Sequence, residues 1–143
     1  MEKGSSVRPT EGREPASIIP VNALYRAIAG IYERLSPICV GGYAQACKAL
    51  DRSYASYLLA YGRVLDLGCG TGANLERVLN LRMPFGSYLG ADQSWAMLAK
   101  VRAKFAHLPR AGFHQLDLQK DRLPEGPLAL MVSTWVFEHL SGA

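Results

Sequence analysis

An α/β fold built on a doubly wound parallel sheet is predicted by three observations. In Arg63-Val64-Leu65-Asp66-Leu67-Gly68-Cys69-Gly70-Thr71-Gly72-Ala73-Asn74-Leu75, an apolar β-branched run passes through three alternating glycines into a helical pattern, the order of a strand, a tight turn and a helix. Two further short apolar stretches, Tyr88–Ala91 and Phe113–Leu116, each run into an aspartate and are separated by another helical pattern. Leu128-Ala129-Leu130-Met131-Val132 is a continuous apolar run, as expected of a parallel strand covered on both faces. Strands alternating with helices imply right-handed crossovers and a ligand crevice at the carboxyl ends of the strands.

Residues 1–17 are rich in Gly, Pro, Ser and charge and read as a mobile polar tail. Residues 18–62 read as a helical cap. Val21, Leu24, Tyr25, Ile28, Ile31, Tyr32 and Leu35 form one apolar stripe, stopped at Ser36-Pro37. After Gly41-Gly42 a second helix runs from Tyr43 to about Ala60, with Cys47, Leu50, Tyr54, Tyr57 and Leu58 inward and Gly62 as its stop. Residues 63–143 hold the sheet. Its strands are expected at Arg63–Leu67, Tyr88–Ala91, Phe113–Leu116 and Leu128–Ser133. The first connecting helix covers Asn74–Leu81. The second is capped by Ser94 and carries Trp95, Leu98, Val101 and Phe105 on its apolar face. Another helix is expected from Trp135.

The length of 143 residues and a hydrophobic content of 49% suit one packed domain. No run approaches the roughly 18 apolar residues of a membrane span, and the polar N-terminus lacks a signal peptide's apolar region. A cytoplasmic setting is the expectation. The net charge of +4 is scattered, without the basic run interleaved with aromatics that would signal nucleic acid. Three cysteines (Cys39, Cys47 and Cys69) without a C-x-x-C pair provide neither a disulfide framework nor a zinc site. Cys69, inside the glycine turn, reads as a small side chain that fits there.

The turn itself carries chemistry. Gly68 permits the bend, Gly70 lets backbone approach a ligand, and Gly72 lets the helix start closely packed. The free N–H groups of that helix's first turn favour an anionic group. Gly68, Gly70 and Ala73 also meet the dinucleotide pattern G-x-G-x-x-G/A, so both NAD and S-adenosylmethionine are candidates. Asp66 separates them, because a carboxylate beside the turn repels a pyrophosphate but attracts an ammonium and a sulfonium. Asp92 lies 22 positions beyond Gly70, close to the roughly 20 expected of an acid that accepts from ribose hydroxyls.

Val64-Leu65-Asp66-Leu67-Gly68-Cys69-Gly70-Thr71-Gly72 resembles the first motif of the class I S-adenosylmethionine-dependent methyltransferases. Asp92-Gln93-Ser94-Trp95-Ala96-Met97-Leu98 resembles their second. The spacing of Tyr25, Ala29, Tyr32 and Glu33 is similar to the N-terminal segment of small-molecule methyltransferases, including the quinone-biosynthesis group, where it lies over cofactor or acceptor. Core aromatics on an amphipathic helix would give the same spacing. The resemblance implies a Rossmann-like sheet and S-adenosyl-L-methionine as cofactor. The implied binding residues are Asp66, Gly68, Cys69, Gly70, Gly72, Asp92, Gln93, Asp117, Leu118 and Ser133. Asp117 and Leu118 would frame the adenine, although Asp117 also suits an ordinary loop beside Lys120 and Arg122. Ser133, Thr134 and Trp135 would meet the methionine half and the acceptor.

Methyl transfer asks chiefly for an in-line nucleophile and exclusion of water, so no catalytic dyad is required. Glu138 and His139 are candidates for proton removal, or the solvated start of a helix. The expected activity is methyl transfer to a small-molecule acceptor. The alternatives are a non-catalytic cofactor-binding fragment or partner subunit, and an NAD-linked oxidoreductase domain. The family sheet continues beyond a fourth strand, so this chain reads as an incomplete half-domain. It is expected to self-associate through the exposed fourth strand, or to borrow a wall from a partner, and to transfer little methyl alone.

Overall fold

The structure is a computed structural model that describes residues 31, 34, 41–57, 62–134 and 136. The tail, Tyr25, Tyr32, Glu33, Trp135, Glu138 and His139 lie outside the described residues, and of the expected helix over 21–35 only Ile31 and Arg34 are described.

The elements run α1 (Tyr43–Tyr57), β1 (Arg63–Leu67), α2 (Ala73–Asn80), β2 (Ser87–Asp92), α3 (Trp95–Lys104), β3 (Ala111–Gln115) and β4 (Leu130–Ser133). The four strands form one sheet in the order β3-β2-β1-β4, and every pair is parallel. The chain thus moves outward through β1, β2 and β3, then returns across the sheet to lay β4 on the other side of β1. Strand order reverses between β1 and β4, and a crevice at the carboxyl ends there is the place where such sheets bind ligands.

Strand alternation sorts the side chains into two faces. Val64, Tyr88, Phe113 and Val132 pack with Tyr54 of α1, Leu75 and Val78 of α2, Leu98 and Val101 of α3, and Phe105 just after α3. Leu65, Leu67 and Ala91 pack with Leu116 in a smaller cluster on the other face. The long side chains on α1 and α2 are tied by Arg77, whose Nη1 donates to Asp51 Oδ1 at 3.1 Å and Oδ2 at 3.3 Å.

Three expectations need correction. Trp95 is 58% exposed rather than inward. At about 3.6 residues per turn, Met97, Leu98, Val101 and Phe105 share an arc centred roughly 100° away from it. Arg102, one heptad on, lies on the same side, with its guanidinium 5.0 Å from the Trp95 ring centroid. The second correction concerns β3, which begins two residues early: Ala111 and Gly112 pair with Tyr88 and Leu89, since a glycine in parallel register needs no turn. The third concerns β4, which starts at Leu130 rather than Leu128 and, among the described residues, is covered on one face only. Val132 is buried against the helices, whereas Met131 is 55% exposed, because the smaller cluster does not extend over it.

Candidate functional site

The glycine turn leaves β1 at its carboxyl end and is fastened to β2. The N–H groups of Gly68 and Cys69 both donate to Ala91 O, at 2.7 Å and 3.0 Å. All three turn glycines have positive φ: 72° at Gly68, 52° at Gly70 and 90° at Gly72. Their surroundings differ. A Cβ on Gly72 would lie 2.5 Å from Phe105 Cε2 and 2.7 Å from Val101 Cγ2, so its bareness serves the packing of α3. A Cβ on Gly68 would collide with Val136. A Cβ on Gly70 would have no described neighbour within 4 Å. Gly70 is therefore the glycine whose bareness faces open space.

Asp92 closes the turn from the end of β2. Its Oδ2 accepts the Gly70 N–H at 2.9 Å and its Oδ1 accepts the Ser94 N–H at 2.8 Å. Burial raises its pKa, partly offset by those two N–H donors. Each carboxylate oxygen has more than one lone pair, so Asp92 retains acceptor capacity after making both bonds. Ser94 in turn caps α3, accepting the Met97 N–H at 3.4 Å. Gly72 occupies the N-cap of α2 and offers no side-chain acceptor, which leaves that helix start without the usual internal cap.

Asp66 does not face the open side of the turn. It is fully buried, and its oxygens accept from the Tyr88 hydroxyl and, at 3.0 Å, from Asn74 Nδ2. The expected direct attraction of an ammonium by Asp66 thus gives way to an internal role. The reason lies in the strand register: Asp66 sits opposite Gly90, which has no side chain, so Tyr88 reaches it diagonally. Burial pushes Asp66 up to about 6, with the two donors acting in the opposite direction.

Cys69 is buried in the helix-side core, and the space for it comes from Gly90, where a Cβ would stand 2.9 Å from its Sγ. Burial raises its thiol well above the ordinary range, so it fills volume. Gln93 is half-buried, and its carbonyl accepts from Gln115 Nε2 at 3.0 Å. Asp117 sits in a turn beyond β3. Its carboxylate accepts from Lys120 Nζ at 2.8 Å and from the Gln119 N–H at 3.0 Å, and these lower its pKa. Leu118 packs at the edge of the smaller cluster. Ser133 ends β4, and its buried Oγ has no hydrogen-bond partner among the described residues. Thr134 follows, and its Oγ1 accepts from Asn74 Nδ2 at 3.3 Å.

Tyr88, Asn74 and Gly90 were not legible as site residues from the sequence. The signal for Asn74 was a polar residue on the inward arc of α2 beside Leu75 and Val78. That for Gly90 was a glycine inside an otherwise apolar strand. Among the described residues no three His, Cys, Asp or Glu side chains come together as a metal site, and no helix is long and apolar enough to cross a membrane.

A buried hydroxyl without a partner among the described residues, a bare backbone at Gly70 and a carboxylate with spare lone pairs suit a polar ligand. The family described as "Methyltransferase domain" matches residues 64–143. A trans-aconitate 2-methyltransferase of Deinococcus radiodurans is 45% identical over 60 residues, 42% of this chain and 22% of that protein. A carboxy-S-adenosyl-L-methionine synthase of Methylococcus capsulatus is 28% identical over 130 residues, 87% of this chain and 54% of that protein. The solved DhpI-SAM-HEP complex superposes with a TM-score of 0.58 at 28% identity, covering 78% of this chain and 47% of that one. The chain thus spans about half or less of the relatives it matches.

Proposed function

This chain belongs to the methyltransferase-domain family, and from that premise we propose that it binds S-adenosyl-L-methionine at the carboxyl edge of the sheet and transfers its methyl group to a small-molecule acceptor. The observation that carries this reading is the bond from Gly70 N–H to Asp92, which joins the glycine turn and the second-strand acid into one cradle. When bound, S-adenosylmethionine supplies a methyl group already activated by a positive sulfur. The chain's residues bind and orient. Asp92 would accept from the ribose hydroxyls with its spare lone pairs, and Gly70 would let backbone approach the ligand. Asp117 and Leu118, with Gln93, would border the adenine, and Lys120 would have to share Asp117 with it. The start of α2 would favour the amino-acid carboxylate. Ser133, whose Oγ has no described partner, would hydrogen-bond the polar end of the ligand. Gly68, Cys69 and Gly72 shape the turn, and Asp66 holds it from within.

The trans-aconitate 2-methyltransferase and the carboxy-S-adenosyl-L-methionine synthase to which the chain is similar are named for chemistry on a small molecule or on the cofactor itself, which supports a small acceptor for this chain. The same reading has copies of this chain associating along β4, the last strand of the described sheet, where Met131 is exposed. Light scattering on the purified protein would detect it.

Calorimetric titration with S-adenosylhomocysteine and with NAD in parallel tests the cofactor. Binding of the first alone is expected, and binding of NAD alone would overturn the proposal. A metabolite screen with a labelled methyl donor then separates a methyltransferase from a chain that only binds.

A further inference from the structure

The geometry points to Asn74 as a positioning residue that clamps the segment leaving β4 onto the glycine turn, so that this segment stands ready as one wall of the ligand site. The inference deepens the cofactor reading above and rests on it. A primary amide carries two N–H hydrogens, and Asn74 Nδ2 has an acceptor for each: Asp66 Oδ1 at 3.0 Å and Thr134 Oγ1 at 3.3 Å. The carboxylate can only accept when ionised, which fixes the amide's orientation and so aims its second hydrogen at Thr134. Asn74 is buried, as is Asp66, so water does not readily substitute for either bond.

A second contact acts on the same segment. Val136 lies against Gly68, in the space a side chain there would occupy. The residues just past β4 are therefore held to the turn by a hydrogen bond at Thr134 and by packing at Val136. Ser133, the last residue of β4, adjoins Thr134, and its hydroxyl has no partner among the described residues. The clamp joins the two sides of the strand-order reversal, β1 with α2 on one side and β4 on the other. No local sequence pattern requires this, because the two partners are 60 residues apart.

The test uses three variants of the full chain. Thr134→Val keeps the shape and loses the acceptor, Thr134→Ser keeps the acceptor and loses a methyl group, and Asn74→Leu removes both donors. Hydrogen exchange of the backbone amides at residues 133–136, measured without ligand, should quicken in Thr134→Val and Asn74→Leu and stay near wild type in Thr134→Ser. S-adenosylhomocysteine affinity, by calorimetry, should fall roughly threefold to tenfold in the first two and be kept in Thr134→Ser. The Asn74→Leu, Thr134→Val double variant should be no worse than Asn74→Leu alone. A Thr134→Ser variant as impaired as Thr134→Val would show that the methyl group matters and the hydrogen bond does not, overturning the inference. So would unchanged exchange in Thr134→Val. If wild type fails to bind S-adenosylhomocysteine at all, the proposed function falls, and the ligand-free exchange comparison still decides the clamp.

Discussion

Asp92 holds Gly70 by its main-chain N–H at 2.9 Å across 22 residues of sequence, and holds Ser94 by the same carboxylate at 2.8 Å. One side chain therefore fixes both the glycine turn and the cap of α3. Asp92→Ala would leave two N–H groups to find other acceptors and would take away the carboxylate proposed to accept from the ribose. The expected loss in stability is about 1–3 kcal/mol, read by urea unfolding. S-adenosylhomocysteine affinity should fall roughly tenfold to a hundredfold. Unchanged affinity in a folded Asp92→Ala protein would remove Asp92 from the site.

The glycines of the turn should separate by experiment. At Gly70 a side chain enters open space, so Gly70→Val should fold, with a left-handed backbone penalty of about 1–2 kcal/mol or somewhat more, yet lose ligand binding. At Gly72 the new atom meets Val101 and Phe105. Gly72→Ala should thus lose about 2–5 kcal/mol from overpacking and backbone strain together, seen as a lower melting temperature. If Gly70→Val binds as wild type does, the turn is structural throughout.

What the sequence made legible follows from which interactions are local. Arg63–Leu67 matched its strand residue for residue because β-branched and apolar residues there are bounded by a glycine on each side. The Ser94 cap was readable for the same reason, since a cap acts within one turn. Trp95 was misplaced because an apolar residue at a helix start satisfies the spacing without reaching the core, and only neighbouring elements decide. Leu128 and Met131 read as buried because apolarity does not state which described elements, if any, cover a strand's second face. The internal role of Asp66 was hidden for a further reason. Its partners Tyr88 and Asn74 come from other elements, and the gap opposite it belongs to Gly90, so no short window contains the network.

Two buried tyrosines predict opposite outcomes. Tyr54 is fully buried, and its hydroxyl has no partner among the described residues. Burial, then the nearby charge of Asp66, hold it un-ionised and push its pKa above the usual range. Tyr54→Phe should be neutral or stabilising by up to about 1–2 kcal/mol, since it removes a desolvated group that made no bond. Tyr88 donates to Asp66. Tyr88→Phe should destabilise by about 1.5–3 kcal/mol, because a buried carboxylate loses a donor. Equal effects in denaturant titrations would contradict the assigned partners.

The pH dependence of stability should carry the signature of Asp66. Burial raises its folded pKa from 3.8 to about 6, against the opposing bonds from Tyr88 and Asn74. Between those values the folded state binds the proton more often than the unfolded state does, so stability falls as pH rises. The contribution is complete below about pH 4, is lost as pH climbs to about 6, and stays lost above. Two pKa units correspond to roughly 3 kcal/mol. Asp66→Asn keeps the shape and an acceptor for Asn74 but does not titrate. Asp92, whose pKa burial also raises, titrates in both proteins, so the informative quantity is the difference between them. The stability of wild type relative to Asp66→Asn should drop by about that amount between pH 4 and pH 6 and then level off. Chemical denaturation across that range would show it. A difference independent of pH would mean that the folded pKa of Asp66 is not raised, its burial being offset by solvent or by the bonds from Tyr88 and Asn74.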